Sequence, residues 1–274
     1  MKKIISAFTI IVVITTLFTG CQYSFSTDFD FGNSSQTGGK TIDASQLEEL
    51  KVDVGVGNVR ISKSADQNAV VKYKNKIRGD SQHVKEVADN IQVVIEAVGD
   101  KLVVEVKTND GDSDDLWQWL SKKYNNINVS VDIDIEIPDN IEAIDVNVGV
   151  GDININGLQC KYSVVSGVGS VRMDNVSMVD KCEITTGTGD IDIDCEIEDA
   201  DRLSVQSGVG SIVVHLPKDA QFDLDAAAGV GTIKGSLITP NKDAFVGDTL
   251  NQKVNGGGTH LEVTAGTGDI TINK

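Results

Sequence analysis

Positive charge is scarce in this chain. Its 274 residues include 24 Lys and Arg against 41 Asp and Glu, which gives a formal net charge of -17 at pH 7. A surface of this sign repels phosphate backbones, and it offers no polybasic attraction to anionic lipid. The composition therefore predicts a protein without a nucleic-acid partner.

Cysteine is also rare, with four residues in all. Cys182 and Cys195 fall nearly opposite each other in the repeat described below, so a disulfide and two buried free thiols both fit the pattern. With Cys160 they have no histidine nearby in the pattern, which disfavours a zinc site. We expect neither a metal nor a cofactor.

Aromatic residues make up 5% of the chain, and three of them cluster. Trp117, Trp119 and Tyr124 belong to a segment from Leu116 that is predicted to be a short helix. Tryptophan suits stacking on a sugar or insertion into an interface. More often such a helix packs over an open face or end of a repeat structure, so packing is the expected role and ligand binding the alternative.

Long apolar runs are limited to one, Ile4 to Phe18, which is too short for a typical transmembrane helix. Lys2 and Lys3 precede it, and the sequence that ends at Cys21 resembles a bacterial lipoprotein signal. This predicts a signal peptide over residues 1–20 and a lipid on Cys21 that holds the protein on the extracytoplasmic face of the cell membrane. The alternative is an ordinary secretory signal or membrane anchor with an incidental cysteine.

Residues 21–40 are rich in Ser, Gly, Thr and Asp. This composition is typical of a flexible tether, which would lift the folded part off the membrane.

Glycine, by contrast, is plentiful, with 27 residues, and it recurs in seven G-x-G pairs inside frames such as VNVGVGDINI. The turn glycines are Gly55 and Gly57, Gly149 and Gly151, Gly167 and Gly169, Gly187 and Gly189, Gly208 and Gly210, Gly229 and Gly231, and Gly266 and Gly268. From Gly149 to Gly229 the pairs are 18, 20, 21 and 21 residues apart. Such spacing indicates stacked structural repeats.

Apolar and polar residues alternate on both sides of each pair. Val146 and Val164 stand three residues before the first glycine of their frames, and Ile153 and Val171 stand four after it. Period-two alternation around a glycine corner predicts two half-buried strands per frame. The two could pair as a hairpin, but identical columns favour parallel stacking of successive frames. The expected fold is all-β, a parallel, right-handed β-helix-like solenoid with coils of 18–21 residues in two or three sheets.

Residues 41–274 are expected to form one such domain, interrupted over residues 62–138 by an excursion. Within it we predict a strand at Ala69 to Ile77, a helix at Asp80 to Ile91, and a hairpin around Gly99.

The G-x-G-[DNS]-[IV]-x-[IV] repeats behind a lipoprotein signal resemble the bacterial "putative adhesin" domain family, whose function is unknown. The resemblance covers about residues 41–274. It implies a β-helix or β-solenoid, no enzymatic activity and no agreed ligand, so it transfers no catalytic residues.

Two binding chemistries are suggested by the glycine pairs themselves. A phosphate loop is excluded because a strand follows and Asp152, Asp190 and Asp269 would repel an anion. Calcium fits the acidic composition better, yet only these three of seven frames place Asp after the pair, and Ca²⁺ needs 6 to 8 oxygens. We expect short polar side chains that cap the corner instead.

Asp174 and Asp194 occupy the same column of adjacent frames, which makes them the candidate residues for catalysis. Neighbouring strands would place their carboxyl groups about 5 Å apart, close to the separation used by retaining glycosidases. The column is exposed, however, and the neighbouring Arg172 can neutralise a carboxylate there.

The sequence therefore predicts a non-catalytic, lipid-anchored envelope protein, an adhesin-like or regulatory interaction module that binds an envelope protein or glycan through an acidic surface. The alternatives are a polysaccharide-active enzyme that uses Asp174 and Asp194, or a purely structural spacer.

Overall fold

The computed structural model describes residues 23–30, 33–109, 116–124, 126–240 and 247–274. Within these ranges the fold is all-β, with nineteen strands joined in one sheet and two short helices. The predicted signal peptide and Cys21 lie outside the described residues. None of the helices described is long and apolar enough to cross a membrane.

The first part of the chain contains β1 (Tyr23–Asp30), β2 (Asn33–Asp43), β3 (Glu49–Val56), β4 (Val59–Lys63), β5 (Asn68–Arg78), α1 (Ser81–Asn90), β6 (Ile91–Val98), β7 (Lys101–Thr108), α2 (Leu116–Lys123) and β8 (Asn128–Ile137). The remainder contains β9 (Ala143–Val150), β10 (Ile153–Asn156), β11 (Gln159–Val168), β12 (Val171–Thr188), β13 (Ile191–Val209), β14 (Ile212–His215), β15 (Phe222–Val230), β16 (Ile233–Lys234), β17 (Asp248–Val254), β18 (Thr259–Thr267) and β19 (Ile270–Asn273).

The excursion has the elements that the sequence predicts. The strand β5, the helices α1 and α2, and the antiparallel hairpin of β6 and β7 all lie close to their expected bounds. Gly99 turns this hairpin with a φ of 64°, a conformation that favours glycine.

The expected flexible tether is wrong for residues 23–30 and 33–40. The first range is β1, which pairs with β2 in antiparallel register, and the second belongs to β2, which pairs with β5 in antiparallel register over its whole length. This strand is held by backbone hydrogen bonds and buried amides rather than by apolar side chains. Gln36 donates to the carbonyl oxygen of Ala88 at 3.3 Å, and Asn75 donates to Gln36 at 3.4 Å. A polar composition therefore does not exclude a paired strand.

Corresponding strands of neighbouring frames pair in parallel. In β3 and β9, Leu50 lies beside Ile144 and Val52 beside Val146, so each apolar column continues from frame to frame. The strands that follow the corner pair in the same way, β4 with β10 and β10 with the start of β12. Each strand of a frame thus extends a ladder through the neighbouring frames.

The stacking order differs from the sequence order at one end. The strand β13 of the Gly208 frame pairs with β18 of the Gly266 frame, and β18 pairs on its other side with β15 of the Gly229 frame. The expectation that the Gly229 frame stacks directly on the Gly208 frame is therefore wrong. The last frame in the sequence lies between them, and β17 then covers β15 in antiparallel register.

The glycine corners stack on one another at close distance. A Cβ on Gly167 would lie 2.5 Å from the carbonyl oxygen of Gly149, and the second glycine of the same frame, Gly169, has a φ of 145°. A larger residue would collide with backbone at the first position of every corner except that of Gly55, and it would strain the chain at the second position. These stacked corners thus require both glycines.

Candidate functional site

The residue after each glycine pair forms a polar column on the outside of the corner. In stacking order the column is Asn58, Asp152, Ser170, Asp190, Ser211, Asp269 and Thr232. The aspartates therefore alternate with hydroxyl residues, a regularity that the sequence order hides because the Gly266 frame is inserted.

These side chains bind backbone groups of the next frame. The Oδ1 of Asp152 accepts from the backbone N–H of Ser170 at 2.9 Å, and that of Asp190 accepts from Ser211 at 2.8 Å. Asp269 accepts from the N–H and hydroxyl of Thr232 at 2.9 and 3.0 Å and from Lys234 at 3.1 Å. The Thr232 backbone bond and the Lys234 ammonium lower the pKa of Asp269 below its ordinary value.

The alternation keeps the carboxylates two frames apart, a separation of about 10 Å. One Ca²⁺ cannot be shared over that distance, since its ligands lie at about 2.3–2.6 Å. Over the residues that the structure describes, no group of three His, Cys, Asp or Glu side chains is arranged to hold a metal ion.

The two candidate catalytic residues do not form a register pair. A bulge at Asn175, with a φ of 52°, interrupts the register of β12 and β13, which pairs Met173 with Ile193 and then Val176 with Cys195. On the other side of β13, Asp194 pairs with His215 of β14. The repeat pattern predicts Asp174 and Asp194 as direct neighbours because it does not reveal the bulge, which shifts the register of the two strands.

Asp174 is bound by a neighbouring guanidinium. Arg172 donates from Nε to Oδ2 at 2.8 Å and from Nη2 to Oδ1 at 2.9 Å, and its Nη1 lies 3.5 Å from Asp192. A bidentate pair of this kind fixes the orientation of the carboxylate. Asp174 is therefore part of a surface ion pair.

A groove of about 780 Å³ crosses several frames on the side away from the glycine corners. Its apolar lining is contributed mainly by one buried residue from each successive frame, namely Ile141, Leu158, Val176, Cys195 and Leu216. Its polar lining includes Lys63, Asp139, Glu142, Gln159, Ser177, Asp194, Glu196, His215 and Lys274. Of the residues that the sequence singled out for catalysis, only Asp194 lines it.

Most of the charged side chains in the groove that form no ion pair are carboxylates. Lys63 and Asp139 neutralise each other across 2.6 Å. Glu142, Asp194 and Glu196 are exposed and form no ion pair with any residue in the described ranges, whereas Lys274 is the one unpaired lysine in the lining. Sequence reasoning missed Glu142 and Glu196 because neither stands in a repeated column.

The aromatic residues lie away from the groove. Trp119 is buried, and its ring meets that of Tyr124 edge to face with centroids 5.2 Å apart. Lys123 places its ammonium 5.3 Å from the Trp119 ring. Trp117 is half-buried against the first glycine corner, and none of these residues lines the groove.

The three cysteines of the folded part are free thiols, and all are buried. Burial raises the pKa of Cys160 to about 12 and also raises those of Cys182 and Cys195. A thiolate, the reactive form, is thus disfavoured at neutral pH. Of the two alternatives for Cys182 and Cys195, the structure has the free thiols.

The repeated frames match a known domain family. The Toastrack DUF4097 profile matches residues 104–273, more than half of the chain. The chain belongs to the Toastrack DUF4097 family. The resemblance of the G-x-G repeats to a domain family of unknown function is thereby confirmed.

Two solved structures illustrate the similarity. A "putative cell adhesion protein" from Clostridium sporogenes is 17% identical, with a TM-score of 0.44, and the match covers 93% of this chain and 99% of that one. A "putative adhesin" from Bacteroides fragilis is 16% identical, with a TM-score of 0.39 and coverage of 86% and 96%. No curated protein matches the Toastrack chain.

Proposed function

We propose that this Toastrack protein is a non-catalytic interaction module, adhesin-like in role, which a lipid on Cys21 anchors to the extracytoplasmic face of the cell membrane. Its stacked frames would form a parallel β-solenoid that presents the groove to other components of the envelope. The predicted lipoprotein signal and the net charge of -17 support the location and the acidic character of this module.

The groove is the single observation that carries the proposal. Its volume of about 780 Å³ falls within the range of about 300–1,000 Å³ typical of ligand sites. It runs across the frames, so a chain-like partner can lie along it and contact one frame after another. Glu142, Asp194 and Glu196 favour a partner with basic or hydroxyl groups, which an envelope protein or an amino-sugar glycan supplies.

A binding role agrees better with this geometry than hydrolysis does. A glycosidase needs two carboxyl groups flanking one bond. Asp174 is held by Arg172 and does not line the groove, so Asp194 lacks there the carboxyl partner predicted for it.

The proposal is tested with the chain expressed from Gln22 and immobilised for capture of envelope protein and glycan fractions. Asp194→Asn with Glu196→Gln is expected to weaken capture at least about tenfold, because two carboxylates that would pair with basic groups of the partner are lost. The control, Asp201→Asn with Glu183→Gln, removes the same charge from exposed positions outside the groove and should bind like the wild type.

Equal loss in both double variants would contradict the groove as the binding site, because net charge alone would then explain capture. Chain cleavage of a glycan that Asp194→Asn abolishes would instead establish the polysaccharide-active alternative. Salt titration of the wild type supplies a further measurement, since binding through exposed charges weakens as ionic strength rises.

A further inference from the structure

The Gly266 frame fills a slot whose two walls come from earlier in the chain. One wall is β13 with β14, and the other is β15 with β16. After β14 the chain skips one strand position and forms β15 beyond it. It then runs back as β17 along the other side of β15, and only afterwards fills the skipped position with β18. Both walls of the slot are thus formed by strands that precede β18 in the sequence.

Side-chain and backbone contacts with the two walls hold the frame in the slot, and these contacts do not depend on the connection from β17 to β18. Leu261, Val263, Ala265, Ile270 and Ile272 are fully buried in the columns that run through all frames. On one side Leu261 lies beside Leu203, and on the other beside Leu224, in unbroken parallel register. Any copy of this frame would make the same contacts.

The link into the frame is a short, glycine-rich turn, Asn255 to Gly258. Asn255, Gly256 and Gly257 have φ values of 51°, 103° and 84°, so the turn depends on conformations that glycine adopts at low cost. A tight turn of this kind can open into an extended link, and elements joined by such links are the ones exchanged in domain swapping.

We propose that this slot is an interaction site for a second copy of the same chain, whose β18 and β19 enter it in place of the acceptor's own. The partner thus supplies the complete frame from Thr259 to Asn273, with its glycine corner stacked on Gly208. Reciprocal exchange joins two molecules at the Gly229 end of their stacks. The inference stands apart from the groove and from its ligand.

A disulfide across the wall of the slot tests the exchange directly. Gln206 and Thr264 are cross-strand partners, and both side chains point outward. Full-length chains carrying Gln206→Cys alone and Thr264→Cys alone are mixed at high concentration, partly unfolded, refolded and oxidised. A covalent dimer between the two chains is expected, and the double variant in one chain should give the same bond within a monomer.

The matched control mixes Gln206→Cys with Thr185→Cys, which are cross-strand partners between consecutive frames of one chain. This mixture should remain monomeric on a non-reducing gel. A dimer from the control alone, or from both mixtures equally, would overturn the proposal, as would the absence of dimer from the Gln206 and Thr264 mixture when the double variant closes its own bond.

The substitution Gly266→Val distinguishes the chain that donates the frame from the chain that accepts it. Its Cβ would lie 2.5 Å from the carbonyl oxygen of Gly208, so the altered frame cannot enter the slot. Gly266→Val in the Thr264→Cys chain should abolish the covalent dimer, because that chain donates the frame. The same substitution in the Gln206→Cys chain should increase the yield of dimer, because the acceptor's own frame no longer competes for the slot. Equal loss in both arms would assign the product to nonspecific contact and refute the exchange.

Discussion

The indole of Trp117 lies directly on Gly55, where a Cβ would overlap the ring. This contact closes the end of the glycine column, because Gly55 belongs to the first frame of the stack. The corners of later frames are more open: Val150, Val168 and Val230 are 47%, 50% and 55% exposed, whereas Val56 of the first frame is partly buried. The aromatic cluster therefore ends the repeat.

Gly55→Ala is expected to expel the indole from this seat. The protein has two tryptophans, so a Trp119→Phe background leaves Trp117 as the only reporter. Its emission should shift to longer wavelength as the ring enters water, and overpacking of this kind should lower the free energy of unfolding by about 1–3 kcal/mol. Val230→Ser in the same background is the control, at an exposed corner of the Gly229 frame. An unchanged spectrum for Gly55→Ala would contradict the contact.

The columns of the frames could be predicted from the sequence because burial follows the pleat. Val52, Val146 and Val164 stand in equivalent positions, and the parallel ladders place them side by side. Local patterns also predicted both helices and the hairpin at Gly99. These features depend on neighbours in the chain, which the sequence displays.

The order of the last two frames could not be predicted, because their apolar columns are nearly interchangeable. Leu224 and Leu261 fit the same position beside Leu203, and only the path of β17 decides which frame is inner. The groove was missed for a related reason. Its lining includes Asn175 and Asp194, and the register shift beside them is a relation between two strands that neither strand displays alone.

The buried thiols are expected to resist alkylation in the folded protein. Burial raises the pKa of Cys160 to about 12 from 9.0, so the neutral thiol is the favoured form in the fold. Labelling of Cys160, Cys182 and Cys195 at pH 8 should follow the rate of unfolding and become rapid in denaturant. Ser163→Cys, at an exposed position on β11, supplies a control thiol that reacts at once.

The same shift has a consequence for stability at alkaline pH. An acid whose pKa is raised by folding contributes stability that is complete below its unfolded value and is lost as the pH rises toward the folded one. Urea unfolding of the wild type should therefore show decreasing stability above about pH 9. Fast labelling of native protein would contradict the burial, and a disulfide between two of these cysteines would contradict the free-thiol state.

Asp269 is expected to stabilise the last corners through its acceptor oxygen. Asp269→Ala removes the bond to the Thr232 backbone and should cost about 1 kcal/mol, whereas Asp269→Asn keeps an acceptor and should cost less. Asn58 already performs this role, since its Oδ1 accepts from the N–H of Asp152 at 2.9 Å. Urea unfolding at pH 7 compares the two variants.

The lowered pKa of Asp269 predicts how this difference varies with pH. Its ionised form contributes stability that is complete above 3.8 and is lost as the pH falls through the lower folded value. The gap between wild type and Asp269→Asn should therefore narrow below pH 3.8. A gap that stays constant through this range would show that the charge of Asp269 contributes nothing.

The alternation of Asp and hydroxyl residues at the corners predicts that calcium sensitivity can be created by one substitution. Ser211→Asp would place a carboxylate between Asp190 and Asp269, with neighbours about 5 Å away on both sides. Like charges so close should lower the melting temperature by about 2–4 °C, and millimolar Ca²⁺ should restore it, because a cation between two adjacent carboxylates offsets their repulsion while water supplies its remaining ligands.

The wild type should melt at the same temperature with and without Ca²⁺, since its carboxylates stand two frames apart. Thr185→Asp is the matched control, because its cross-strand neighbours Val165 and Gln206 are uncharged, and its melting temperature should not respond to Ca²⁺. A wild type stabilised by Ca²⁺ would contradict the spacing argument. A Ser211→Asp variant with the melting temperature of the wild type would show instead that carboxylates on adjacent frames are screened from one another by solvent.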